Sequence, residues 1–251
     1  MKYLLLVMLF PIGCKNVMRY NNDYKVSNEV VDTISVTPAK VAAKPALFEN
    51  AFVKGFSQTV NNFNVTLYGI NIGKLKITSG RIVACDPLHI DEYGIPYTRV
   101  FPTGEFPVQL SIAKLDEEES IAFVRVNFSD EPVERWELAL LEGQSPLPVG
   151  DKKMHGFSVD GGVGIFVDET AIKDLEIDKL SSLNAPLYKE MEQHYHFDWR
   201  YAMYQFGQHN LAAFSTGFGD GYFGTYIGFN AKGQPCRLLT DFGLFDWKYR
   251  E

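Results

Sequence analysis

The side chains with the most chemical reach in this sequence are carboxylates and imidazoles lying beside glycines. Asp160-Gly161-Gly162 and Gly219-Asp220-Gly221 each set a carboxylate on permissive backbone, and Asp168 follows the first of them closely. Hard cations such as Ca²⁺ take several oxygens from loops of this kind, so Asp160, Asp168 and Asp220 are the candidate metal ligands. Neither loop has the alternating acids of a calcium loop, and Asp and Gly are also what tight turns require. Asp86 and Asp241 belong to the same group of acids at turns and strand ends. Of the five histidines, His155 precedes the Asp160 loop and His209 opens the segment leading to Asp220. If the two loops meet, His155, Asp160, Asp168, His209 and Asp220 could supply a general base and its orienting acid for a hydrolase.

Other chemistries find less support. His194 and His196 flank Tyr195, which is not the i, i+4 spacing of a helical zinc pair, and no His-Glu-x-x-His occurs. Gly143-Gln144-Ser145-Pro146-Leu147 puts a serine in a proline-containing turn rather than in a nucleophile elbow. The glycine runs at 161–164 and 217–221 lack the Gly-Lys-Ser/Thr of a phosphate loop. No motif calls for a cofactor. Tyr195, Phe197, Trp199, Tyr201, Tyr204 and Phe206 crowd one stretch. Exposed, they would line a partner or ligand site; buried, they are core, and the core reading is favoured. Cys85 and Cys236 can form a disulfide in an exported protein, or stay reduced as small apolar strand residues.

These residues must be positioned by strands. Val65–Ile70 and Gly73–Ile77 read as two strands joined by a tight hairpin at Asn71-Ile72, and Arg81–Cys85 ends at the Asp86-Pro87 turn. Pro107–Ala113 alternates apolar and polar residues, as a half-buried strand does. Ile121–Phe128 is apolar on both faces, which suits a central strand. In Val133–Leu141, Trp136, Leu138 and Leu140 share a face. Leu211–Ser215, Tyr222–Phe229 and Gln234–Leu239 follow, the last two joined by Asn230-Ala231-Lys232-Gly233. Gly224 and Gly228 face one way along the Tyr222 strand, which predicts a large neighbour packed on them. Helical spacing appears at Ala46–Ser57, from Glu169 to Ile177, and at Ala185–His196. The expected fold is mainly β (α+β): one antiparallel β-rich domain over 46–251 with a minor helical layer.

The N-terminus reads as an address. Lys2 precedes an apolar run from Leu4 to Phe10, and Gly13-Cys14 closes it. The run is too short for a permanent membrane span and has the layout of an export signal. Gly before Cys resembles a bacterial lipobox, with Pro11 departing from the usual leucine. Residues 1–13 are then a lipoprotein-type signal peptide and Cys14 the lipidated residue. Acyl chains such as palmitate would anchor it, each buried methylene adding about 0.8 kcal/mol. The plainer readings are simple secretion, or an apolar start with a chance cysteine. Residues 14–45 have no clean helical period and read as a flexible tether.

The chain has 24 Lys+Arg and 31 Asp+Glu, a net charge of −7. Removing the signal sharpens this. Residues 15–45 carry a surplus of two positive charges, whereas 46–251 carry 18 basic and 28 acidic residues, a net of −10. Nucleic acid is therefore not an expected partner, because phosphate recognition needs a surplus of Lys and Arg. A protein partner with a basic surface suits the domain.

Several short motifs follow one another in order: Cys85-Asp86-Pro87, Pro102-Thr103-Gly104-Glu105-Phe106-Pro107-Val108, Trp136-Glu137-Leu138-Ala139, the stretch from Val159 to Asp168, Asn210, the stretch from Ser215 to Tyr222, Gly228, Gly233 and Thr240-Asp241-Phe242. This series resembles the bacterial "domain of unknown function 4241" family from about Gly73 to Phe242. The resemblance implies no activity, cofactor or site residue. The C-terminal glycine-rich hairpins also resemble those of some toxin-immunity domains, at the level of fold alone. The leading expectation is a non-enzymatic binding domain, lipid-anchored in the bacterial cell envelope and facing the periplasm or the surface. An envelope hydrolase using the His/Asp or metal site, and an immunity-type protein neutralising a toxin, are the alternatives.

Overall fold

A computed structural model describes residues 46–247 except 61, 152, 177–179 and 181–184. The signal-like residues 1–13, Cys14, the tether 14–45 and Ile177 lie outside the described residues. In chain order the elements are α1 (Leu47–Asn50), β1 (Phe56–Val60), β2 (Phe63–Ile77), β3 (Ile82–Cys85), a 3-10 turn (Pro87–His89), α2 (Ile90–Tyr93), β4 (Gly104–Leu115), β5 (Glu118–Asn127) and β6 (Arg135–Leu138). Then come β7 (Phe157–Val159), β8 (Val163–Asp168), α3 (Glu169–Ile172), α4 (Pro186–Gln193), β9 (Tyr201–Phe206), β10 (His209–Ser215), β11 (Gly221–Phe229) and β12 (Pro235–Asp241). Of the described residues 47% lie in strands and 12% in helices, so the fold is mainly β, in antiparallel sheets with a half-barrel curl.

The larger sheet runs β1-β2-β4-β5-β12-β11-β6, with β7 also paired to β11; the smaller runs β3-β8-β10-β9. The two sheets enclose the main core. Ile112, Ile121, Val124 and Leu238 of the larger sheet meet Ile82, Phe166, Ala212 and Phe214 of the smaller. The other face of the smaller sheet, with Ile165, Val167 and Leu211, is covered by Leu187, Tyr188 and Met191 of α4. The outer face of the larger sheet is capped by Phe48 of α1, which packs edge-on to Phe123, Trp136 and Trp247. Among the described residues no helix is long and apolar enough to cross a membrane.

Several expectations hold. The Pro107–Ala113 strand lies within β4, the Ile121–Phe128 strand lies within β5 but for its last residue, and Gly228 sits opposite Trp136, whose ring would be 3.1 Å from an added Cβ. Others need correction. Asn71-Ile72 is not a hairpin: β2 runs unbroken through it, with a register shift between Asn71 and Gly73. Asn71 Oδ1 accepts the Gly73 N–H, and Gly73 at φ +135° absorbs the extra residue as a bulge rather than a reversal. The first helix is a single turn, because β1 has begun by Phe56. The strands β8 and β9 were not expected: glycines mask the first, and the aromatic crowd masks the second.

Candidate functional site

Apart from Asp160, which is exposed and contributes only its backbone N–H, the His and Asp candidates are engaged one by one in fastening loops. Asp168 is fully buried and accepts from the backbone and hydroxyl groups of Thr78, Ser79 and Thr170, so it caps α3 and ties it to the turn after β2. Burial works to raise its pKa, but hydrogen bonds from Thr170 and Ser79 outweigh this and hold the carboxyl below the ordinary range. Asp86 accepts the N–H groups of Asp160 and Gly161, and Asp220 accepts that of Gly162. The two glycine loops thus do meet, through backbone rather than through a catalytic pair. His155 Nε2 lies 2.9 Å from the Ser145 carbonyl oxygen, and His209 Nε2 lies 3.1 Å from Asp174 Oδ2. Among the described residues no three or more His, Cys, Asp or Glu side chains come together in a way that could hold a metal ion, Asp160, Asp168 and Asp220 included. Cys85 and Cys236 are both buried and free, in different apolar clusters. Asn210 is a further fastener: its side chain joins β10 to the Lys74 and Lys76 backbone of β2.

The concentrated polar chemistry lies elsewhere, around Glu119. Leu115 and Glu118 pair across a two-residue turn whose first residue, Asp116, has φ +54°, a conformation Asp tolerates. That turn starts β5 at once and puts Glu119 opposite Lys114, on the same face as Ile121. Glu119 is only 4% exposed. Its Oε2 accepts the Tyr68 hydroxyl at 3.0 Å and the Trp199 indole N–H at 3.3 Å, while the Lys114 ammonium stands 3.5 Å from Oε1. His196 Nε2 is 3.9 Å from Oε2. Burial, then the hydrogen bond to Glu119 and its charge, push the Tyr68 hydroxyl up to about 12, so it stays a donor at neutral pH.

The aromatic stretch forms the other wall. His196 and Trp199 exchange backbone hydrogen bonds across a tight turn, and Phe197 takes φ +52° within it. A bulky residue in the left-handed region is strained, and the paired backbone of the turn imposes it while the Phe197 ring stands exposed at the tip. His194 stacks on Tyr201 with ring centres 4.6 Å apart, and Trp199 lies near-parallel to the same ring at 6.3 Å. The core reading of this stretch is right for Trp199 and Tyr204 and wrong for Tyr195 and Phe197, which are exposed.

Three clefts join here. A polar cleft of about 560 Å³ is lined by Glu118, Asp198, Arg200, Tyr195 and the Gly217-Phe218-Gly219 loop. It shares Phe218, Glu118 and Ser120 with an apolar cleft of about 300 Å³ that includes Phe63 and Phe245. It shares Tyr195 with a third, of about 400 Å³, walled by Tyr68, His194, Trp199 and Tyr201. Phe218 projects at the join and is 88% exposed. Thr216 builds that loop, donating its hydroxyl to the Gly219 carbonyl while its N–H bonds Gly162.

Sequence reading missed Glu119 because it sits in the run Asp116-Glu117-Glu118-Glu119, which looks like a solvated turn. The usable signal was the period of two: extending the Ile121 strand backwards places Glu119 on the inward face.

Comparison with curated proteins and with solved structures returns no match. The profile of the family described as "Protein of unknown function (DUF4241)" matches residues 75–240. That span includes Asp86, Asp168, Asn210 and Asp220, the loop fasteners just described, together with Glu119 and Trp199. It covers well over half of the chain, which therefore belongs to this family.

Proposed function

We propose that this chain is a binding module of the bacterial cell envelope, tethered to the membrane through a lipid on Cys14, which engages a partner protein of basic surface through the joined clefts. The observation that carries this reading is the convergence of Phe218, Tyr195 and Phe63, all exposed, on one groove rimmed by Glu118 and Asp198. Exposed aromatics beside a polar rim are the pattern of protein interfaces, and the domain's net charge of −10 favours a cationic partner. The engagement of His155, Asp168 and His209 in separate loop contacts favours binding over hydrolysis.

The test is photo-crosslinking in cells, with p-benzoylphenylalanine placed at Phe218 or at Tyr195, and at Tyr93 as an exposed control outside the groove. The two groove positions should give the same adduct, and E118K combined with D198K should abolish it. An adduct shared with position 93, or one indifferent to the charge reversals, contradicts the reading. Mass spectrometry of the mature N-terminus should show an acylated Cys14; a retained Met1 contradicts the tether.

A further inference from the structure

The end of the groove above Glu119 has the chemistry of a cation site. Tyr68, Tyr195, Trp199 and Tyr201 wall a cleft of about 400 Å³, and aromatic faces attract cations through the ring quadrupole. Behind Tyr68 and Trp199 lies the Glu119 carboxylate, which both of them hold in place. Asp116, Glu117 and Glu118 on the same hairpin and Asp198 on the facing turn add negative charge. The basic groups nearby are Lys114 and Arg200, and Arg200 is already paired with Glu192. His194 and His196 complete the titratable groups that face the cleft.

Lys114 shows that this carboxylate attracts a cation. Its ammonium stands 3.5 Å from Glu119 and 5.8 Å from the centre of the Phe197 ring, near both a carboxylate and an aromatic ring. Only the Lys114 end of this pair is open to water, at 41% exposure against 4% for Glu119, so the buried carboxylate keeps an unmet attraction for positive charge on its other side.

We infer that the cleft walled by Tyr68, Trp199 and Tyr201, with the Glu119 carboxylate behind Tyr68 and Trp199, binds the cationic head of a ligand, an ammonium or guanidinium group. This rests on the binding-module reading and deepens it, by naming the anchor point for a basic partner. The head can belong to a Lys or Arg side chain of a protein or to a free small amine.

The test is calorimetric titration of the full chain with four probes. These are choline, its uncharged carbon isostere 3,3-dimethylbutan-1-ol, a short peptide with one lysine, and the same peptide with norleucine instead. Choline or the lysine peptide should bind and both uncharged probes should not. K114M should tighten cation binding by about fivefold, since it removes a like charge that neutralises Glu119. E119Q, which keeps acceptors for Tyr68 and Trp199, should weaken it by at least about tenfold with an unchanged circular dichroism spectrum. Preference for the peptide assigns the site to a protein side chain, and preference for choline to a free amine. Equal binding of charged and uncharged probes, no binding of either cation, or indifference to both K114M and E119Q overturns the inference. If the cations bind as expected but crosslinking at Phe218 is insensitive to charge, the partner reading fails and the cation site stands. If crosslinking behaves as expected but neither cation binds, the reverse holds.

Discussion

The Trp199 indole donates its hydrogen bond to Glu119, 3.3 Å away across 80 residues of sequence. It joins the turn before β9, in the smaller sheet, to the start of β5, in the larger. Trp199 is 3% exposed and its ring belongs to the core between the sheets, so the contact both closes the core and positions a carboxylate at its mouth. Buried acids are costly unless hydrogen-bonded, and Tyr68 and Trp199 meet that requirement on Oε2.

Removing the parts of this contact should cost unequally. Y68F deletes one donor to a charged group and should lower stability by about 1.5 kcal/mol. E119A strands both the Tyr68 hydroxyl and the Trp199 N–H and should cost about 3 kcal/mol. Urea denaturation of the two variants checks the order, and a smaller loss for E119A than for Y68F would contradict it.

Asp168 should matter for folding and show it through pH. D168A removes a helix cap and leaves the buried donors of Thr78, Ser79 and Thr170 without their acceptor, a loss of about 3 kcal/mol. Its folded carboxyl titrates below the ordinary value, so its contribution is fully present above the unfolded value of about 3.9 and is lost as pH falls through the lower folded one. The urea midpoint of the native chain should therefore fall over that acidic window, and D168N should lack this part of the fall.

The loop that presents Phe218 depends on Gly217. Gly207 and Gly217 have similar backbone angles, φ +53° and φ +58°, so alanine at either should cost about 1 kcal/mol. Nothing lies within 4 Å of an added Cβ at Gly207, whereas at Gly217 it would meet Leu244 at 2.7 Å and Phe242 at 3.0 Å. G217A should be the more destabilising by about a further 1–3 kcal/mol, and should weaken groove binding where G207A does not. Equal thermal shifts for the two would contradict this.

The thiols should be silent until the protein unfolds. Burial pushes both Cys85 and Cys236 up, which disfavours the reactive thiolate. In a C14S chain, a thiol-specific chromogenic reagent should find two thiols in denaturant and react slowly with the native protein. A count of none in denaturant would show the disulfide that their separate clusters argue against.

Much of this fold is legible in the sequence, where one side chain in two faces a core. Pro107–Ala113 and Gln234–Leu239 read correctly because alternation or apolar runs reflect burial directly. The twin glycines of β11 rightly foretell Trp136 packed on Gly228. Three features resist for physical reasons. A bulge at Asn71 and a turn at Asn71 use the same residues, and only the partner strand β4 tells them apart. β8 hides because Gly164 is there to admit Phe214, whose ring would lie 2.9 Å from an added Cβ. Glu119 hides because an acid in an acidic run looks solvated, and its burial depends on Tyr68 and Trp199 far away in sequence. Asp86, Asp168, Asp220, His155 and His209 catch the eye yet are fasteners, since turns and catalytic sites draw on the same residue types.

The central claim, that the cleft over Glu119 is the binding site, can be tested with one spectrum. The chain has three tryptophans, each giving one indole N–H signal, and only that of Trp199 is bonded to Glu119. A ¹H–¹⁵N correlation spectrum should be followed as choline or the lysine peptide is added. The account predicts that the Trp199 indole signal shifts saturably while those of Trp136 and Trp247 stay in place. A Trp199 signal that does not move, or three signals that drift together without saturation, would contradict it.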